Sequence, residues 1–112
     1  MRLRRKREDA LQGTLDLLIM KTLSRGPAHG YAIAAHLQHV SGDALRVEEG
    51  SLYPALHRLE QAGTVAAEWQ VTANNRRARV YRLTRTGHQH LAAEERKWDA
   101  LTKAVNRVLR FV

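Results

Sequence analysis

At 112 residues the chain fits one domain with a modest core, and its formal charge of +8 and pI of about 10.8 point first to polyanionic partners. It has no cysteine, which excludes a disulfide framework and a thiolate metal site. No apolar run approaches the ~18 residues of a membrane span, and the basic start leads into Glu8 and Asp9 rather than a signal-peptide core, so a cytoplasmic protein with no membrane partner is expected.

The charge is clustered. Residues 1–9 hold Arg2, Arg4, Arg5, Lys6 and Arg7 against two acids, whereas residues 74–85 hold Arg76, Arg77, Arg79, Arg82 and Arg85 with none. These segments carry +3 and +5, which is the whole net charge. Residues 1–10 show no apolar periodicity and are read as a mobile basic arm. Thr14 then looks like an N-cap, with Gly13 before it and Asp16 well placed in the first turn. Leu15, Leu18, Ile19, Thr22 and Leu23 repeat at helical spacing until Gly26-Pro27 stops the helix. A second helix is expected from about His29 to Val40, with Ile33, Leu37 and Val40 inward and Ser41-Gly42-Asp43 at its end.

The third helix lies in EGSLYPALHRLEQAG, residues 49–63. Leu52, Leu56 and Leu59 form one apolar stripe, and Tyr53, Pro54, His57, Arg58 and Gln61 form the opposite face. Pro54 has no backbone N–H and fits the first turn, which places the helix start near Ser51 as N-cap; Gly63 supplies a left-handed stop. After Gly63 the period changes to two. Val65, Ala67, Trp69 and Val71 alternate with polar or small residues as a half-buried strand, Asn74-Asn75 turns the chain, and RVYRLT (79–84) returns. A two-stranded hairpin tipped by NNRRAR, directly after a helix-turn-helix, reads as a wing.

Thr84 caps a final helix in the context LTRTG. Leu91, Trp98, Val105 and Val112 recur every seven residues, with Leu101 and Val108 between them, close to a heptad seam that Glu94 and Glu95 interrupt. At ~25 residues, or ~37 Å, this helix is longer than so small a domain can cover. It therefore predicts a homodimer, the alternative being a helix folded back on its own domain. The expected fold is mainly α with a small two-stranded β wing: an arm at 1–10, a winged helix-turn-helix at 11–85 and a C-terminal dimerisation helix at 86–112.

Between residues 46 and 60, Arg46 and Arg58 stand against Glu48, Glu49 and Glu60, so the third helix is not strongly basic. That suits a division of labour on double-stranded DNA in which phosphate contacts position and helix side chains specify. Ser51, Tyr53, His57 and Arg58 are assigned to base edges and nearby phosphates. Arg58 is the candidate for bidentate guanine contact; for Tyr53, packing against the wing is the competing reading. Arg76, Arg77 and Arg79 are the expected phosphate ligands, against a solvated hairpin tip. Three to four neutralised phosphates per protomer would give a dimer a log–log salt slope of about −5 to −7. His29 and Tyr31, which begin the second helix, are read as structural, with backbone phosphate contact as a further role.

His36 and His39, and His88 and His90, have no carboxylate or cysteine at ligand spacing, so no metal site is expected. No Ser/His/Asp or Cys/His group, phosphate loop or carboxylate pair stands at useful spacing, so neither an enzyme nor a cofactor is expected. A winged helix used for protein contact, or as a non-specific nucleoid binder, remains the competing function.

Three blocks, GTLDLLIMKTLSRGPAHGYAIAAHL, EGSLYPALHRLEQAG and VYRLTRTG, cover about residues 12–90 in order and resemble the PadR family of transcriptional regulators. The single terminal helix is similar to the short subfamily. The resemblance implies a homodimeric DNA-binding repressor whose winged helix enters the groove and whose terminal helices form the dimer. It also implies that a small planar aromatic or phenolic compound can release the DNA. Trp98, with Leu101 and Val105, would then line a flat site between subunits; dimer packing without ligand is the competing reading. Two features depart from the family pattern: Asn74-Asn75 where its wing often has glycine, and the basic arm.

Overall fold

The computed structural model describes the backbone of residues 2–111 and the side chains of residues 13–111. In chain order the elements are α1 (Arg2–Leu23), β1 (Ala28–His29), α2 (Gly30–Val40), α3 (Glu49–Gln61), β2 (Val65–Val71), β3 (Arg77–Leu83) and α4 (Arg85–Phe111). One core joins them. Ile19, Met20 and Leu23 of α1 meet Ile33 and Leu37 of α2, Leu52, Leu56 and Leu59 of α3, Val65, Tyr81 and Leu83 of the sheet, and Leu91 of α4.

Helix α1 begins at Arg2, not at Thr14, which lies well inside it. Residues 2–12 are rich in arginine, lysine, leucine, glutamate and alanine, all good helix formers, so a helix already running needs no cap at Thr14. The side chains of the basic arm lie outside the described residues. In α2, Ile33 and Leu37 are buried as expected, but Val40 is 61% exposed because the helix ends beyond the core. Helix α3 begins two residues before Ser51, with Glu48 as N-cap and no side-chain cap bond. Pro54 thus sits one turn deeper than its missing N–H suggested. The Gly50 carbonyl that would have accepted from it is on an exposed residue, open to water. The end of α3 follows local rules: Gly63 has φ +78°, its N–H donates to Glu60 O at 3.1 Å, and Thr64 N donates to Leu59 O at 3.1 Å, a Schellman closure.

Strands β2 and β3 pair antiparallel from Val65↔Leu83 to Val71↔Arg77. Asn75 turns the hairpin at φ +59°, its N–H donating to Thr72 O at 2.9 Å. The sheet has three strands, not two: β1 joins the free edge of β3, with Ala28↔Tyr81 and His29↔Val80, giving the order β1-β3-β2. A two-residue strand has no periodicity by which sequence could disclose it. The expected buried face of β2 holds only at its base. Val65 is buried, but Trp69 and Val71 are exposed because the hairpin projects past the core.

Thr84 caps α4 as expected. Its Oγ1 accepts from Gly87 N at 3.0 Å and donates to Gly63 O at 2.7 Å, while Thr84 N donates to Thr64 O at 3.0 Å. The helix runs 27 residues, about 40 Å, yet only Gly87 and Leu91 on it are buried. Helix α1 lies antiparallel to its first half: Lys21 pairs with Glu95 at 3.1 Å, and Gly13 and Leu17 border a groove with Trp98 and Leu101. Among the described residues, no helix is long and apolar enough to cross a membrane.

Candidate nucleic-acid interface

The leucine stripe and Ala55 hold α3 in the core, so Ser51, Tyr53, Pro54 and His57 emerge together on its outer face. Tyr53 packs against α2. Its ring lies over Gly30, where an added Cβ would stand 2.8–2.9 Å from the phenol atoms. Glycine in the HGY segment is therefore the seat of the tyrosine. Tyr31, 80% exposed, borders the same groove between α2 and α3, together with Gln38 and Glu49.

Arg58 is placed differently from its three expected partners. Its Nη2 donates to Asp16 Oδ1 at 3.0 Å, which ties α3 to α1 and turns the guanidinium from the outer face. Burial pushes the Asp16 carboxyl above its ordinary range, and the Arg58 guanidinium opposes that shift. The pair is a partly exposed link between the two helices.

The wing arginines are also divided. Arg79 donates from Nη2 to Glu60 Oε2 at 2.9 Å, joining β3 to α3. Arg76 and Arg77 are exposed, and among the described residues neither has an ion-pair partner. Trp69, which sequence reasoning placed in the core, stands on the same sheet face as Arg77 and Arg79. Its ring centroid is 4.9 Å from the first guanidinium carbon and 5.5 Å from the second. The strand register held this signal, since Trp69 lies opposite Arg79.

At the other end of the molecule, Trp98 and Leu101 line the groove between α1 and α4, and Val105 continues their stripe one turn on. Trp98, Leu101, Val105 and Val108 are all exposed. His36 is engaged by Arg25, whose Nη1 lies 2.6 Å from Nδ1. Among the described residues, no group of three potential metal ligands comes together.

A family model described as the transcriptional regulator PadR-like family matches residues 19–93. The transcriptional regulator Rv3488 of Mycobacterium tuberculosis is 40% identical over 68 residues, which is 61% of this chain and 63% of that protein. A PadR-like transcription factor from Bacteroides fragilis superposes with a TM-score of 0.80 at 30% identity, covering 93% of this chain and 98% of that one. Bacillus subtilis PadR, solved in complex with operator DNA, superposes with a TM-score of 0.65 at 24% identity over 71% of this chain and 45% of its own. With the family match running from α1 through α3 and the wing to the start of α4, the chain belongs to the PadR-like family of transcriptional regulators.

Proposed function

We propose that the protein is a cytoplasmic homodimeric repressor that binds a two-fold operator through α3 and the wing and is released by a planar aromatic or phenolic compound. One observation carries this reading: the polar face of α3 stands exposed beside a wing whose Arg76 and Arg77 have no ion-pair partner among the described residues. The fold shared with a PadR solved on operator DNA supports the nucleic acid as partner.

In this reading Ser51, Tyr53 and His57 meet base edges and nearby phosphates, and Arg76 and Arg77 hold the backbone. Arg58 serves from behind, setting α3 against α1 through Asp16. The exposed stripe of Trp98, Leu101, Val105 and Val108 is the dimer seam, since a closed two-fold interface needs one self-complementary patch. A flat ligand would stack on Trp98 in the α1–α4 groove. Helix α1 borders that groove and also carries Asp16, so the ligand site and the reading helix share one rigid element.

The test is fluorescence anisotropy on labelled DNA from upstream of the protein's own gene, at ~150 mM salt with excess random competitor. Saturation at two protomers per duplex is expected, with release by members of a planar aromatic panel and loss of that response in Trp98→Ala. Binding that competitor erases on every duplex tried would instead support a non-specific nucleoid binder.

A further inference from the structure

The wing holds a residue that the reading above does not use. The outer half of β2 has left the core, yet it carries a tryptophan that is 55% exposed. Large aromatic area in water is unfavourable, so its surroundings need an account. On one side of the sheet, Trp69 faces Arg79 across the strand pair, with Arg77 at the diagonal position. Both guanidiniums lie within ~6 Å of the ring centroid, the range of cation–π attraction.

Two like charges on one indole would repel each other. Glu60 of α3 relieves that conflict by pairing with Arg79 at 2.9 Å. The two arginines therefore leave the ring with different roles. Arg79 is neutralised and bound back to the reading helix. Arg77, with no carboxylate partner among the described residues, lies over the ring with its guanidinium carbon 4.9 Å from the centroid. An arginine at a hairpin edge otherwise samples many rotamers, and a phosphate contact must then remove that freedom.

We infer that Trp69 is a positioning residue for DNA binding: it preorganises Arg77 as the main phosphate ligand of the wing, while Arg79 is committed to Glu60 and takes no phosphate. This rests on the DNA-binding reading above, but not on any particular operator, because phosphate contacts are independent of sequence.

The test is a double-mutant cycle on the full chain with a random duplex of about 30 base pairs at ~50 mM salt, where backbone contacts dominate affinity. Trp69→Leu is expected to weaken binding several-fold and Arg77→Ala about 10-fold or more, with the double variant no weaker than Arg77→Ala within about twofold. Trp69→Tyr, which keeps an aromatic face, should restore most of the loss. Arg77→Ala should make the log–log salt slope shallower by about 2, one charge from each protomer, and Arg79→Ala should leave it unchanged. Circular dichroism confirms that each variant is folded; a Trp69→Leu that fails this is replaced in the cycle by Trp69→Thr, which also removes the aromatic face and suits a strand. Losses that multiply, or an Arg79→Ala slope change equal to that of Arg77→Ala, would overturn the inference and leave DNA binding standing. A wild-type protein that binds no duplex at this salt would overturn both.

Discussion

Gly87→Ala is expected to lower the unfolding midpoint by on the order of 10 °C, from a net loss of about 2–3 kcal/mol. On propensity alone the change should help, because alanine in a helix is favoured over glycine by about 1 kcal/mol. Packing decides otherwise. A Cβ at Gly87 would be driven into the Thr64 carbonyl and the Leu83 side chain. That carbonyl already accepts from Thr84 N at 3.0 Å, and Leu83 is in the core, so neither can withdraw without loosening the start of α4. Gly13→Ala is the matched control. It lies within α1 with nothing within 4 Å of the added carbon, so it should gain about 0.5–1 kcal/mol. Thermal melts followed by circular dichroism read both, and a Gly87→Ala melt at or above wild type would contradict the packing described here.

Leu101→Glu/Val105→Glu should convert the proposed dimer to a folded monomer. Both positions are exposed in the protomer, 56% and 46%, so charge there leaves the core of each chain untouched. Across a two-fold seam each substitution appears twice, bringing four carboxylates into an apolar interface. Unpaired buried charge is costly enough to weaken the dimer by at least ~100-fold. Sedimentation should then give the monomer mass with the circular dichroism of the wild type. Operator affinity should fall with it, since half-site binding loses the linked second contact. A variant that stays dimeric would place the interface elsewhere.

What could be read from the sequence was what local physics determines. The Leu52, Leu56 and Leu59 stripe, the Gly63 stop, the left-handed asparagine of the hairpin and the Thr84 cap depend on neighbours a few residues away. Helix starts were harder. Thr14 and Ser51 are good capping residues, but each lies inside a longer helix: α1 is already running through good helix formers, and α3 starts at Glu49 despite Gly50. Strand β1 is too short to have a period and exists only because β3 offers an edge.

The site was legible as a surface and not as a set of roles. Residue type and spacing identified the outer face of α3 and the arginine-rich hairpin tip. They could not show that Arg58 is drawn off by Asp16, 42 residues away, or Arg79 by Glu60, 19 away. Nor could they show that Gly30 seats Tyr53 or that Trp69 lies outside the core. Each of these depends on a partner brought close by the tertiary fold.

The salt dependence of affinity for the upstream duplex reads the phosphate contacts themselves. With Arg79 paired to Glu60, each chain of the proposed dimer would offer Arg76 and Arg77, so four phosphates would be neutralised. Plotting log Kobs against log salt should therefore give a slope of about −3.6 or steeper, with saturation at two protomers per duplex. A slope near zero would mean that the wing arginines do not meet the phosphate backbone, and the winged-helix account of DNA binding would fail.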